Sequence, residues 1–200
     1  MAIKPILFNT AMVRAIREDE KTQTRRVIPP EEVAAVLTSP CRLENPDIPD
    51  SRFVEIICST KYEKGDVLWV RENWAVAAEL PRVSEGGFVY MADYSTFEQV
   101  DLKRKHFRWR PSIHMPKEAA REFLLVTDVR AEPLQCIDAA GIRAEGIRGG
   151  CFENDPEGRS TFRRLWNSTC NKDKLSTCSW EADPWVSVIT FQRCSRPEGF

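Results

Sequence analysis

The sequence predicts a small mixed β-barrel of class α+β, with flanking helices and insertions around short strands. Two observations favour this fold. Short strand-like runs occur at irregular spacing, and a few helical stretches separate them. The length of 200 residues fits a single domain over 1–200. With 42% hydrophobic and 30% charged residues, the chain has enough apolar material for a core, which excludes a disordered chain.

The first elements follow from apolar spacing and from capping residues. Residues 4–8 predict a short buried strand, and Asn9 or Thr10 then caps a helix that ends near residues 19–20. The alternating, β-branched run over 22–28 predicts a second strand.

The later elements follow from the same patterns. Four consecutive apolar residues predict a fully buried strand over 67–74. Further strands are predicted over 88–92, 123–129 and 184–191. Helices are predicted over 31–37, 116–121, 137–144 and 161–166.

The overall composition excludes several classes of protein. Lys and Arg total 29 against 30 acidic residues, so nothing global marks a nucleic-acid binder and any basic surface is local. No apolar run approaches the roughly 20 residues that cross a bilayer, and the opening eight residues are too quickly polar for a signal peptide. We therefore expect a cytoplasmic protein with no membrane partner.

The cysteine pattern does not predict a metal centre. The seven cysteines include no CxxC pair, and only two histidines are present to complete a zinc site. We expect scattered reduced thiols, no metal and no cofactor.

The first candidate cluster lies at a helix-to-strand junction. Lys21 and Thr24 are three residues apart, so a helical turn would place them on one face and an ideal strand on opposite faces. Burial beside Arg25 and Arg26 would lower the pKa of Lys21, which could then take the proton of the Thr24 hydroxyl. Thr24 and Arg26 share a strand face, and Glu72, at the end of a buried strand, could carry the proton to a leaving amine.

This cluster also has a simpler interpretation. The segment 21–26 has the composition of an ordinary exposed, charged strand start, and such edges are common in sheets. Glu72 would then be no more than an ion-pair partner, for example of Arg25.

A second cluster, residues 103–114, interleaves aromatic with basic side chains. Seven basic residues lie over 103–121, against two acidic residues over 101–121. Arg, Trp and Phe side chains together stack on unpaired bases and neutralise phosphates, which favours a nucleic-acid surface. The alternative is a solvated loop in which Trp109 is simply buried.

Taken together, these motifs resemble the ASCH-domain family of the PUA-like superfamily, specifically the expanded ASCH-like proteins of phages and prophages. The matching blocks are 5–9 with Met12 and Val13, 21–26, 65–72, 109–116 with Arg121, 145–147, 165–166 and 184–186. The unmatched segments, which we interpret as insertions, are 30–62, 75–104 and 148–160.

The family pattern around the first cluster is Gly-x-Lys-x-x-Thr-x-Arg. Lys21, Thr24 and Arg26 fit this pattern, but Asp19 stands where the family has glycine. Glycine would suit a helix end with positive φ, and aspartate tolerates that conformation only at some cost.

The resemblance implies a five- or six-stranded β-barrel with a cleft suited to RNA or a modified base. One branch of the family consists of amidohydrolases that remove the acyl group from N4-acetylcytidine and related nucleosides, using a lysine, a threonine and a glutamate. Carried over by motif, Lys21 would be the base, Thr24 the nucleophile and Glu72 the proton donor to the departing exocyclic nitrogen. Arg26 would hold the substrate or the developing oxyanion.

Three functions remain open at this point. The chain is an amidohydrolase acting on an N4-acylated cytidine, a non-catalytic RNA-binding module or ribonuclease using the same basic cleft, or a phage structural or interaction protein. Its expected partner is a modified nucleoside or single-stranded RNA. The candidate substrate-binding residues are Arg25, Arg26, Trp69, Arg71, Trp109 and His114.

Overall fold

The chain forms two structural units, each with helices and strands. The computed structural model describes residues 1–57, 61–79, 87–147 and 156–200. The first unit comprises 1–19, 66–125 and 193–200, and the second comprises 20–65 and 126–192. The predicted combination of helix and sheet, class α+β, is confirmed.

Three strands form the sheet of the first unit. Strand β1 (Ile3–Leu7) pairs in parallel with β3 (Val67–Arg71), and β3 pairs antiparallel with the first three residues of β6 (Phe123–Pro133). Asp66 fixes the start of β1, because its carboxylate accepts from the Ala2 amide over 2.9 Å and pairs with Lys4 over 2.7 Å. The strands predicted over 4–8 and 67–74 are therefore present, although the second ends at Arg71.

Helix α1 (Thr10–Arg17) has both of its ends specified locally. The side chain of Asn9 accepts a hydrogen bond from the Met12 amide at the N-terminus, as predicted. At the C-terminus, Asp19 has φ of 57°, a left-handed conformation that glycine adopts more readily than aspartate. Val13 and Ile16 face the interior and are completely buried.

The remainder of the first unit consists of a small hairpin and one further helix. Strands β4 (Trp74–Val76) and β5 (Phe88–Tyr90) pair antiparallel, and α5 (Thr96–Arg104) follows with a Ser95–Glu98 capping box. The core of this unit is built from Val67, Trp74, Met115, Ala119, Ala120 and Phe123, with Trp69 packed against it. The helix predicted over 116–121 is only a 3-10 turn, Lys117–Ala119.

In the second unit, β2 (Gln23–Val27) pairs antiparallel with β7 (Trp185–Cys194). The register places Thr24 opposite Ile189 and Arg25 opposite Val188, so β2 lies beside a fully buried stretch of β7. The rest of β6 neighbours the other side of β7.

Helices cover this sheet in two groups. Helices α2 (Pro30–Leu37), α3 (Pro40–Glu44) and α4 (Asp50–Ile57) occupy most of the segment 30–62. Helices α6 (Ala139–Ala144), α7 (Pro156–Thr169) and α8 (Leu175–Cys178) follow later. Two buried clusters result, one containing Trp180 and the partly buried Trp166, the other Val33 and Phe53 with the partly buried Trp185.

The expected barrel is not visible in either unit alone. Within the described residues, the strand order is β1–β3–β6 in the first unit and β6–β7–β2 in the second. Each of these is an open sheet, because its first and last strands do not pair with each other. The PUA-like barrel therefore stays a prediction. Of the segments interpreted as insertions, residues 58–60, 80–86 and 148–155 lie outside the described residues.

Among the residues that the structure describes, no helix combines the length and the apolar character needed to cross a bilayer.

Candidate active site

The first candidate cluster lies in the second unit, where helix α6 meets the chain before β2. Lys21 forms an isolated antiparallel bridge with Glu145, and the Thr22 amide donates to the Ala144 carbonyl over 2.8 Å. Lys21 is therefore extended and not part of a helical turn. Asp138 caps α6 by accepting from the Gly141 amide over 2.7 Å, and Glu145 follows the last residue of this helix.

Lys21 is buried and its ammonium group is bound by Glu145. Its Nζ donates to the Glu145 carbonyl oxygen over 3.1 Å and also to the carboxylate of the same residue. Burial lowers the pKa of Lys21, and the charges of Arg26 and Arg25 act in the same direction, while Glu145 opposes them. The interpretation of segment 21–26 as an exposed strand start is thus wrong.

Arg25 is part of the same ion-pair network. Its Nη1 donates to Glu145 Oε1 over 3.1 Å and its Nη2 to Glu132 Oε1 over 2.9 Å, and its side chain is completely buried. Gly141 leaves the space for this guanidinium, since a Cβ atom there would lie 2.9 Å from Nη2. This arrangement orders Glu145 beside Lys21, whereas the sequence predicted that Arg25 binds substrate.

Thr24 and Arg26 share a face of β2, as predicted. Nη1 of Arg26 donates to Thr24 Oγ1 over 2.8 Å and to the Arg25 carbonyl oxygen over 2.9 Å. Thr24 is only 1% exposed. A cationic donor on a buried hydroxyl oxygen stabilises negative charge there, so this contact favours a nucleophilic Thr24.

Tyr62 adds a further polar side chain to the second unit. It is buried, and burial raises the pKa of its hydroxyl, while the charge of Arg26 acts in the opposite direction. The phenol is therefore neutral near pH 7, and it lies within electrostatic range of the Arg26 guanidinium.

Glu72 belongs to the first unit and is described within it. It follows β3, is 1% exposed, and accepts hydrogen bonds from Arg121 Nε over 2.8 Å and from Nη2 over 3.0 Å. Arg121 is also paired with Asp93 over 2.6 Å. Burial raises the pKa of Glu72 while Arg121 opposes this effect, so Arg121 and not Arg25 is its ion-pair partner in this unit.

The other candidate substrate-binding residues are distributed over the first unit. The Arg71 guanidinium lies 5.4 Å from the centre of the Trp69 ring, so these two are brought together. Trp109 instead packs against Tyr94, with ring centres 5.2 Å apart. His114 is exposed on a 3-10 turn, and its side chain contacts no polar partner within the described residues.

The acidic members of the buried network were missed at the sequence level. Glu145 was part of a matching block without an assigned role, and Glu132 was not singled out. The one feature of the sequence that could have drawn attention to Glu145 is its place just before Gly146, at a predicted helix end. In the structure Gly146 has φ of 84°, as a glycine at the end of a helix often does. Nothing local indicates that its partner lies 124 residues away.

Comparison of this chain with protein-family models, with curated proteins and with solved structures finds no match. Over the described ranges, no three His, Cys, Asp or Glu residues are grouped closely enough to hold a metal ion.

Proposed function

We propose that this chain is an amidohydrolase that removes the acyl group from an N4-acylated cytidine or a related modified nucleoside. The observation that carries the proposal is the buried group at the start of β2, in which Lys21 is held by Glu145 and Thr24 is held by Arg26. Nucleophile, base and a group that orients the base are the parts of a covalent hydrolase. The nucleoside substrate rests on the resemblance to the ASCH-domain family.

Lys21 is the general base in this proposal. A lysine accepts a proton only when its pKa falls towards neutrality, and burial with two neighbouring guanidinium groups lowers the pKa of Lys21. Glu145 is a positioning residue, because its carboxylate fixes Nζ and stabilises the ammonium that forms.

Thr24 is the nucleophile and Arg26 its electrostatic support. The Arg26 guanidinium already donates to Thr24 Oγ1, so it stabilises the developing alkoxide without further reorganisation. Because Thr24 and Lys21 are buried, the substrate reaches them only when the residues that cover them move aside locally.

The reaction balances with water as the only co-reactant. Thr24 Oγ bonds to the acyl carbon as its proton moves to Lys21, and the bond from that carbon to N4 breaks when N4 receives a proton. The products of this first half-reaction are the free cytidine and an acyl ester of Thr24. Water then attacks the ester, and the carboxylic acid leaves as the Thr24 hydroxyl is restored.

Glu72 enters the proposal through the resemblance, which assigns it the proton for the exocyclic nitrogen. Its raised pKa supports this role, because a carboxyl group donates a proton more readily near pH 7 when its pKa is higher. Its firm pairing with Arg121 supports a structural role instead. The variant Glu72→Gln separates the two, since its amide oxygen still accepts a hydrogen bond from Arg121 while the amide has no acidic proton to transfer.

The direct test is a chromatographic assay of the full chain with N4-acetylcytidine. We expect cytidine and acetate from the wild type, none from Lys21→Met or Thr24→Val, and product from Thr24→Ser. Lys174→Met is the matched control, because Lys174 is an exposed lysine of the same unit. Circular dichroism of each variant shows whether the fold is retained.

Two results would overturn the proposal. One is wild-type activity in folded Thr24→Val, and the other is no product from the wild type with N4-acylcytidines of differing acyl length. Together with tight binding of RNA, the second result would favour the non-catalytic RNA-binding module.

A further inference from the structure

A separate pocket in the first unit lies between α5 and the residues that follow it. Its volume is about 590 Å³, within the range of roughly 300–1,000 Å³ typical of ligand sites. Thr96, Gln99, Val100 and Lys103 line one side of it. Their spacing of three, four and seven residues places them on one face of the helix.

The opposite wall is formed because the chain reverses at the end of α5. His106 has φ of 62°, its amide donates to the Lys103 carbonyl over 3.0 Å, and the Phe107 amide donates to the Leu102 carbonyl over 3.0 Å. These two bonds form a Schellman motif, which ends the helix and turns the chain back. Phe107, Arg108 and Trp109 consequently line the same pocket as α5.

Aromatic rings lie in and beside this pocket. Phe107 and Trp109 have ring centres 5.1 Å apart in an edge-to-face arrangement, and both rings remain partly exposed. Phe97, on α5 three residues before Val100, is 83% exposed. An aromatic ring with so much surface in water has no role in the core and is available for stacking.

The charges around the pocket have one sign. Its lining includes Lys103 and Arg108 and, over the described residues, no carboxylate. The nearest acids of the helix are already engaged, since Asp101 pairs with Lys105 over 2.5 Å and Glu98 accepts from Ser95. The side chains of Lys103, Arg104 and Arg108 form no ion pair within the part of the chain that the structure describes.

One neutral polar group also lines the pocket. Gln99 Nε2 donates to the Met91 and Tyr94 carbonyl oxygens, over 3.0 and 2.7 Å. This fixes the orientation of the amide, and its Oε1 accepts no hydrogen bond from the described residues. A fixed carbonyl oxygen is a suitable acceptor for the exocyclic amine of a base.

We propose that this pocket binds single-stranded nucleic acid. Unpaired bases would stack on Phe97 and on the Phe107–Trp109 pair, and Lys103, Arg104 and Arg108 would neutralise the neighbouring phosphates. A protein partner without a cluster of carboxylates fits less well, because it would leave the charges of Lys103 and Arg108 desolvated and unpaired. The site is distinct from the Lys21–Thr24 group, and its existence does not depend on hydrolysis there.

Isothermal titration calorimetry of the full chain with a U12 RNA and a dT12 DNA oligonucleotide tests the proposal. We expect binding to at least one of them, with an affinity that falls as salt rises. The double variant Lys103→Gln/Arg108→Gln should reduce the slope of log K against log salt by roughly 1.4, at about 0.7 for each phosphate contact on a single strand. Phe97→Ala should weaken binding by roughly 5- to 150-fold.

Matched controls come from exposed positions elsewhere. Lys172→Gln/Lys174→Gln removes two exposed lysines, and Leu43→Ala truncates a side chain that is 72% exposed. Both should bind as the wild type does. Comparing the RNA with the DNA shows which sugar the site accepts, and either preference supports the proposal.

The proposal is overturned if neither oligonucleotide binds at low salt, or if the pocket variants bind as well as their controls. A failure of this nucleic-acid proposal can be told apart from a failure of the proposed hydrolase function. The pocket variants should still release cytidine from free N4-acetylcytidine, and Thr24→Val should still bind the oligonucleotides.

Discussion

Glu145 binds Lys21 twice, because its backbone carbonyl oxygen and its carboxylate both accept hydrogen bonds from the lysine Nζ. The same carboxylate also accepts from Arg25, so one acid serves two buried cations. A lysine held in this way has a fixed position, and the contribution of its contact with Glu145 can be measured as the stability of the fold.

Replacing Glu145 by alanine should lower the free energy of unfolding by about 3–5 kcal/mol, since it leaves a buried cation without its carboxylate. Urea unfolding followed by circular dichroism measures this difference. The control is Glu181→Ala, because the Glu181–Arg163 pair is exposed at both ends and should contribute far less to the stability. Equal costs for the two variants would refute the structural role of Glu145.

Glu72 should give the stability a specific dependence on pH. Its pKa is raised above the ordinary value of 4.5 in the folded chain, so the folded state binds more protons than the unfolded state just above that pH. This group therefore stabilises the fold fully below pH 4.5, and its contribution is lost as the pH rises through the raised pKa.

The measurement is the urea midpoint of wild type and Glu72→Gln over a series from about pH 4 to about pH 8. The wild type should lose stability relative to the variant as the pH rises through this window. Glu79→Gln, at an exposed partner of Arg110, should run parallel to the wild type. A Glu72→Gln profile that also runs parallel would show that Arg121 cancels the effect of burial.

Gly141→Ala should lower the free energy of unfolding by about 1–3 kcal/mol, although alanine favours a helix by about 1 kcal/mol over glycine. The reason is the 2.9 Å approach of the new Cβ to Arg25 Nη2, whose guanidinium is fixed by two carboxylates. In an Arg25→Lys background the contacting nitrogen is gone, and the cost should shrink. A cost that is the same in both backgrounds would place the strain elsewhere, for example at Asp138.

Asp19 should tolerate glycine and reject a β-branched residue. Glycine adopts a φ of 57° without strain, so this substitution removes the backbone strain of Asp19. Glycine also has more conformational freedom in the unfolded chain, and this lowers the stability by a similar amount. We expect Asp19→Gly to lie within about 0.5 kcal/mol of the wild type and Asp19→Val to lose more than about 1 kcal/mol. The Arg193 contact at 3.8 Å is exposed and contributes little. Equal stability of the two variants would contradict this account.

Features that depend on neighbouring residues could be predicted from the sequence. Asn9 capped the helix as its side chain and position indicated, and the shared face of Thr24 and Arg26 followed from the two-residue period of a strand. The positive φ of Asp19 was indicated by the resemblance instead, because the ASCH-domain pattern has glycine at this position.

Features that depend on distant residues could not. The acidic partners of Lys21 and Arg25 were not readable from the charged segment, because Glu145 and Glu132 follow them by more than a hundred residues. The segment around Phe53, interpreted as part of an insertion, forms helix α4 because its apolar residues pack on α2. The pairing of Glu72 with Arg121 required the fold in the same way, since 49 residues separate them.

The six tryptophans divide equally between the two units, with Trp69, Trp74 and Trp109 in the first and Trp166, Trp180 and Trp185 in the second. In the second unit, Trp180 and Trp185 also belong to different buried clusters. The tryptophan fluorescence of the intact chain is therefore the sum of the emission from three tryptophans in each unit. In a chain with phenylalanine at the three tryptophan positions of one unit, all tryptophan emission would come from the other unit. Two such chains, one for each unit, could therefore follow the unfolding of each unit separately.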